Sequence, residues 1–129
     1  MQTIIKLYHY SLPELPPVSV GGNSTKHWGA KSEWFKKAKS KMSVEIRSRV
    51  IPETPLGRCN INITFGLPDY RTRDLDNMLS HCKPYIDALV QEKVIADDKW
   101  PVVSSIQVWG MKIDSMPYTI IEVIEGVDI

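Results

Sequence analysis

Five aspartates fall within one stretch of 25 residues: Asp74, Asp76, Asp87, Asp97 and Asp98. Like charges repel, so the folded chain must either separate these carboxylates or neutralise them. Carboxylates from a helix start and from a later turn, once brought together, provide the hard oxygen ligands that Mg²⁺ prefers. A metal ion held there would also attract phosphate, so the pattern points to chemistry on a phosphate group.

The same aspartates have a simpler interpretation. At a helix N-terminus, Asp74 and Asp76 would meet free backbone N–H groups and the positive end of the helix dipole. Asp97 and Asp98 alone are typical of a solvated turn. A calcium-binding EF-hand loop is excluded because the required glycine and terminal glutamate are missing. From the residues alone, metal ligands and helix caps both stay open.

The charge of the chain is divided between its two halves. Residues 1–73 carry 12 Lys and Arg against 5 Asp and Glu, whereas residues 74–129 carry 4 against 10. The halves are therefore +7 and −6, although the net charge is only +1. A basic surface beside an acidic cluster is the layout expected for cleavage of a phosphodiester backbone.

Two groups of basic residues are candidates for DNA contacts. Lys36, Lys37 and Arg47 lie on one face of a predicted helix, opposite its apolar stripe. Arg71 and Arg73 lie in a polar loop directly before the first aspartate. We predict that these five side chains contact DNA phosphates.

The elements that must position these residues follow from hydrophobic periodicity. The pattern predicts strands over 3–10, 58–67, 102–113 and 118–125, and helices over 31–50 and 74–93. Residues 1–129 are expected to form a single α/β domain of the α+β type. We predict one mixed sheet of about four strands with helices packed against it.

Pro84 interrupts the second predicted helix. Proline lacks an N–H, and its ring disfavours the helical conformation of the preceding residue. The helix either bends at this point or ends near Cys82, with Pro84 opening a second helix. The kinked single helix is the favoured prediction, and it places Asp76, Lys83 and Asp87 on one side.

Other features limit the classes of protein. No apolar run is long enough to span a bilayer, and the N-terminus lacks a signal-peptide layout. Cys59 and Cys82 form neither a disulfide framework nor a zinc motif, which favours two reduced cysteines in a cytoplasmic protein. Four tryptophans are expected mainly in packing roles, and Trp28, in a loop, is the best candidate for stacking on DNA.

A set of linked motifs resembles a known family. Asp74-Leu75-Asp76-Asn77, Lys83-Pro84, Asp87-Ala88-Leu89, Val94-Ile95 and Asp97-Asp98 resemble the signature of the RusA-type Holliday junction resolvases. The resemblance covers residues 71–125. It implies a small dimeric α/β endonuclease, commonly encoded by prophages, that cuts four-way DNA junctions with Mg²⁺ or Mn²⁺.

The resemblance also implies roles for individual residues. It implies that Asp74, Asp76 and Asp98 are catalytic metal-binding carboxylates, which should then converge around one ion, and that Lys83 is the essential lysine. Asp97 would share the outer shell of the metal, and Asp87 would support the helix by pairing with Lys83.

One spacing departs from the family. Its lysine follows the second aspartate by about one helical turn, whereas Lys83 follows Asp76 by seven residues. His81 projects near Asp74 on a helical wheel and is a candidate to replace this lysine. A partly exposed helix histidine without such a role is the better expectation.

The expected activity is therefore resolution of four-way junctions by metal-dependent phosphodiester hydrolysis in the cytoplasm of a bacterium. The expected partners are branched DNA and a second copy of the chain, with no membrane. Two alternatives stay open: a DNA-binding module without catalysis, and a Mg²⁺-dependent nuclease for flap or other branched DNA.

Overall fold

The sheet that carries the site has four strands, and helices separate the first three of them along the chain. The computed structural model describes residues 6–17 and 28–126. In chain order the elements are β1 (Leu7–Leu12), α1 (Trp28–Arg47), β2 (Cys59–Leu67), α2 (Leu75–Ser80), α3 (Lys83–Gln91), β3 (Val103–Lys112) and β4 (Tyr118–Glu125). The strand order in the sheet is β1-β4-β2-β3.

The connection between β2 and β3 sets the position of the acidic residues. These two strands are parallel, whereas β4 pairs antiparallel with both β1 and β2. A parallel pair needs a crossover, and α2 and α3 provide it. As a result α2 begins just beyond the carboxyl end of β2.

One face of the sheet forms the core with the helices. The alternating residues Ile61, Ile63 and Phe65 of β2 are fully buried. Their register partners on β4, Val123, Ile121 and Thr119, are buried on the same face. The helix residues in this core include Ala38, Met42, Ile46, Met78, Tyr85 and Leu89. The predicted mixed sheet of about four strands with helices is confirmed.

Element boundaries differ from the predictions by a few residues. The predicted helix 31–50 begins three residues earlier and ends at Arg47. The first strand extends to Leu12, and residues 3–5 of its predicted range lie outside the described residues. Much of the predicted loop 11–25 also lies outside them.

The favoured single kinked helix is wrong, because α2 and α3 are separate helices. In a continuous helix residue 84 would donate its N–H to the carbonyl of Ser80, and Pro84 has no N–H to donate. The chain instead ends α2 with hydrogen bonds between residues three positions apart, such as the one from the Cys82 N–H to the Leu79 carbonyl at 2.9 Å. Pro84 then lies in the first turn of α3, where an N–H is not needed.

His81, at the junction of these helices, is fully buried rather than partly exposed. Its ring makes edge contacts with Trp34 and Phe35 of α1, with ring centroids 6.3 and 6.1 Å apart. Its Nδ1 lies 2.8 Å from the Asn77 carbonyl oxygen. The ring therefore joins the α2–α3 junction to α1. The expectation of a partly exposed histidine is wrong, and a fully buried ring does not serve as a substitute for the lysine.

Both cysteines are free and buried. Burial raises the pKa of the Cys59 thiol to about 11 and that of Cys82 to about 12. These thiols are protonated at neutral pH, which makes them poor nucleophiles. Within the described ranges, no helix is both long and apolar enough to cross a membrane.

Candidate active site and DNA-binding surface

Asp74 caps the N-terminus of α2. Its backbone is extended, with φ −90° and ψ 106°. Its Oδ1 accepts hydrogen bonds from the N–H groups of Asp76 and Asn77, at 3.0 and 3.3 Å. The capping interpretation of Asp74 is thus confirmed. Neither bond uses Oδ2, and Asp76 is exposed in the first turn. Two carboxylates therefore lie together at this helix end.

The loop before Asp74 is held in shape by Asp69. The Asp69 Oδ1 accepts hydrogen bonds from the Arg71 N–H at 3.0 Å and from Arg71 Nε at 3.3 Å. It also lies 3.0 Å from Arg73 Nη1. The Arg71 backbone hydrogen bond, followed by the Arg73 and Arg71 side chains, lowers the pKa of the Asp69 carboxyl. Only 9% of the Arg73 side chain is exposed, against 79% for Arg71. Arg71 is therefore the arginine of this loop that can reach a phosphate.

Lys83 brings the acidic turn to the start of α3. Its Nζ contacts Oδ2 of Asp98 and lies 3.0 Å from Oδ1 of Asp87. The expected pairing of Lys83 with Asp87 is confirmed. Hydrogen bonding to Asp98, then to Asp87, raises the Lys83 pKa, and the Lys83 ammonium lowers the pKa of Asp98. The Asp98 N–H also donates to Asp97 Oδ1 at 2.7 Å. Lys83 thus neutralises part of the negative charge of this turn.

The expected convergence of Asp74, Asp76 and Asp98 is not observed. Across residues 6–17 and 28–126, no three His, Cys, Asp or Glu side chains are close enough to hold a metal ion together. The acidic residues instead form two groups, one at the start of α2 and one around Lys83. In the second group Lys83 binds both Asp87 and Asp98, whereas no lysine lies between the two aspartates of the first group among the described residues.

The basic residues of α1 differ in how closely neighbouring carboxylates bind them. The Arg47 guanidinium forms two hydrogen bonds with the Glu92 carboxylate, at 2.8 and 3.0 Å. This contact raises the pKa of Arg47 and lowers that of Glu92. Lys37 makes an exposed ion pair with Glu33 at 3.2 Å, and Lys36 is exposed beside a groove between α1 and α3. The two lysines are better placed than Arg47 to bind phosphate.

Replacement of Lys36 and Lys37 by alanine should weaken binding to DNA of any shape and flatten its salt dependence. Each lost phosphate contact is expected to reduce the slope of log K against log salt by about 0.9. Arg47→Ala should change the slope less, because its guanidinium already binds Glu92. Fluorescence anisotropy with a linear duplex over a salt series measures both. Equal slopes for wild type and the double variant would exclude this face of α1.

Among the residues that the structure describes, three aromatic side chains are strongly exposed, although the two tryptophans among them were expected in packing roles. Tyr70 is 86% exposed, Trp100 80% and Trp109 57%. The side chain of Trp28, the predicted stacking residue, lies outside the described part of the chain. The available signal was the position of Tyr70, between Asp69 and Arg71 in a polar loop next to the first aspartate. An aromatic ring in such a polar loop is expected to lie on the surface rather than in the core.

Comparison with known proteins adds no assignment. The chain matches no family model, and no curated protein is significantly similar to it.

Proposed function

We propose that this protein is a metal-dependent endodeoxyribonuclease that resolves four-way DNA junctions by phosphodiester hydrolysis. The observation that carries the proposal is the contact between Lys83 and Asp98, which are 15 residues apart in sequence. The resemblance to RusA-type resolvases implies that both residues belong to one active site. Their contact supports that implication, since nothing in their local sequence requires it.

The charge distribution supports a phosphate substrate. Exposed cations lie on α1 and on the loop before Asp74. The carboxylates of Asp74 and Asp76 follow that loop directly in the sequence. Lys36, Lys37 and Arg71 would each attract a DNA phosphate. The acidic residues would repel the same strand unless a cation is bound between them. Such a layout favours cleavage over simple binding.

Asp74 and Asp76 are the residues that would bind the metal ion. Mg²⁺ keeps several waters and is commonly bound by one or two carboxylates together with substrate phosphate. The absence of a group of three ligands among the described residues is compatible with this mode. When bound, the ion would activate water and stabilise charge on the phosphate. Lys83 would add a positive charge for the phosphate, and Asp98 would orient Lys83.

A DNA-binding module without catalysis is the second candidate. The hydrogen bonds from the Asp76 and Asn77 N–H groups to Asp74 favour it, because they give Asp74 a structural role. Capping and metal binding are compatible when they use different carboxylate oxygens. A nuclease for flap or other branched DNA would use the same residues and differs only in substrate.

Junction resolution requires paired cuts, so we also propose that the enzyme acts as a homodimer. A four-way junction has approximate two-fold symmetry, and a two-fold dimer would present two matching sites to it. Such an enzyme would act in the cytoplasm, where bacterial or phage DNA recombines.

The test is incubation with a synthetic four-way junction and a linear duplex of matched sequence, in Mg²⁺, Mn²⁺ or EDTA. We expect paired nicks in the junction with either metal ion, and none in EDTA or in the linear duplex. Binding without nicking under all conditions would support the binding module. Faster cutting of a flap than of the junction would support the alternative nuclease.

A further inference from the structure

A pocket at the start of α2, lined by Leu75, contains features that phosphate cleavage alone does not require. It lies at the carboxyl end of β2 and β3 and has a volume of about 310 Å³. Leu67, Leu75 and Gly110 form an apolar part of its lining. A Cβ at Gly110 would lie 3.2 Å from Leu67 Cδ1 and 3.7 Å from Leu75 Cδ2. The glycine therefore keeps this part of the pocket open.

Tyr70 provides an exposed aromatic wall on a loop that is already ordered. Its neighbours Arg71 and Arg73 both bind Asp69, and Arg73 Nη1 also donates to the carbonyls of Asp69 and Arg71, at 3.1 and 3.3 Å. These contacts fix the loop without using the tyrosine ring. Tyr70 is 86% exposed, so its ring is open to a ligand, and because the loop is already fixed, stacking has to order only this one side chain.

Two cations line the same pocket as the ring. Lys112 Nζ lies 5.6 Å from the Tyr70 ring centroid and is anchored by the Ile113 carbonyl and by Asp114 Oδ1, at 3.0 and 2.9 Å. The exposed Arg71 follows Tyr70 directly and also lines the pocket. An aromatic face with adjacent positive charge is the combination that binds single-stranded nucleic acid.

We propose that this pocket binds one unpaired nucleotide of the branched substrate, with its base stacked on Tyr70 and its phosphate near Arg71 and Lys112. The inference rests on the proposed function and adds how the site distinguishes branched from linear DNA. Bases in a continuous duplex have both faces covered by their neighbours. Only a base at a branch point, gap or bulge can present a face to Tyr70 at little cost.

The position of Tyr70 gives the stacking a consequence for cleavage. Tyr70 precedes Asp74, the N-cap of α2, by four positions in the sequence, and Leu75 of α2 lines the same pocket. A nucleotide held there would place an adjoining phosphate next to Asp74 and Asp76. The selectivity for branched over linear DNA would then come from Tyr70, which lies outside the catalytic group.

The test compares two duplexes in EDTA, one with a single unpaired thymine and one fully paired. Wild type should bind the bulged duplex more tightly. Tyr70→Leu, which keeps apolar bulk but removes the ring, should reduce that affinity by about fivefold to a hundredfold and leave the paired duplex unchanged. Tyr70→Phe should behave as wild type. Because Tyr70 is exposed, thermal unfolding should be unchanged in both variants.

Trp109→Leu is the matched control. Trp109 is another exposed aromatic residue, but it pairs with Thr64, on the face of the sheet opposite the buried residues of β2. Its replacement should not change the preference for the bulge. A second measurement places 2-aminopurine at the unpaired position, where stacking on Tyr70 should quench its fluorescence in wild type but not in Tyr70→Leu.

Each other outcome has a defined meaning. An undiminished bulge preference in Tyr70→Leu would overturn the stacking site, while nicking of the four-way junction would still support the nuclease. A change in sedimentation of Tyr70→Leu would overturn it in favour of a contact between two copies of the chain. If wild type bound no DNA and cut no junction, both proposals would fail.

Discussion

Asp76→Asn is expected to reduce junction nicking in Mg²⁺ by about a hundredfold or more, while junction affinity in EDTA stays equal or rises. Asp76 is exposed in the first turn of α2, and its own backbone N–H is held by Asp74. Asparagine preserves the shape and the helix start but removes one charge. Without a metal ion that charge repels DNA, so its loss should aid binding. With a metal ion the same charge is a ligand, so its loss should prevent cleavage.

Glu53→Gln controls for the loss of one negative charge. Glu53 is exposed in the turn before β2, away from the aspartates in sequence. Its replacement should leave nicking unchanged. Retained nicking in Asp76→Asn would remove Asp76 from the catalytic group, because asparagine can serve a helix N-terminus nearly as well as aspartate. Simultaneous loss of nicking and binding would indicate misfolding, which circular dichroism would reveal.

The sheet could be predicted because its signal is local. Residues Ile61, Ile63 and Phe65 alternate with polar residues, and a strand with one buried face requires that period. The break between α2 and α3 was misjudged for the opposite reason. Its apolar pattern continues across residues 81–84, and the missing N–H of Pro84 decides the outcome through one hydrogen bond.

The candidate site could be predicted only in part, because its contacts join distant residues. Asp98 reaches Lys83 because the turn that carries it is fixed from elsewhere. The Leu56 N–H donates to the Val94 carbonyl, and the Ala96 N–H donates to the Leu56 carbonyl, both at 2.9 Å. No spacing within residues 74–98 contains that information. The division of the acidic residues into two groups therefore could not be read from the sequence.

The basic residues show the same limitation. Sequence gives the number of charges but not their partners, and Arg47 finds Glu92 across 45 residues. Arg73 is withdrawn into its loop by Asp69, only four residues away, because that loop folds back on itself. Charge counting predicted a basic surface. Burial removes Arg73 from it, and two hydrogen bonds to Glu92 occupy the guanidinium of the exposed Arg47, which leaves Lys36, Lys37 and Arg71 as the main candidates.

Lys83→Met separates a structural lysine from a catalytic one. As an ion pair, Lys83 is 54% exposed, and exposed pairs contribute only about 0–1 kcal/mol to the free energy of unfolding. Its removal leaves the carboxylates of Asp87 and Asp98 without their shared cation, yet both can still be hydrated. The melting temperature should therefore fall by no more than about 5 °C.

The expected effect of Lys83→Met on catalysis is much larger than its effect on stability. If Lys83 stabilises charge on the reacting phosphate, junction nicking should fall by about a hundredfold or more, with binding in EDTA little changed. Lys6→Met, at an exposed lysine beside β1, controls for the loss of one positive charge. Lys83→Arg keeps the charge and its partners but moves the cation, so partial activity is expected only if position matters. Nicking of Lys83→Met at the wild-type rate would show that Lys83 serves only to neutralise Asp87 and Asp98. The essential cation would then have to come from Arg71 or from the metal ion alone.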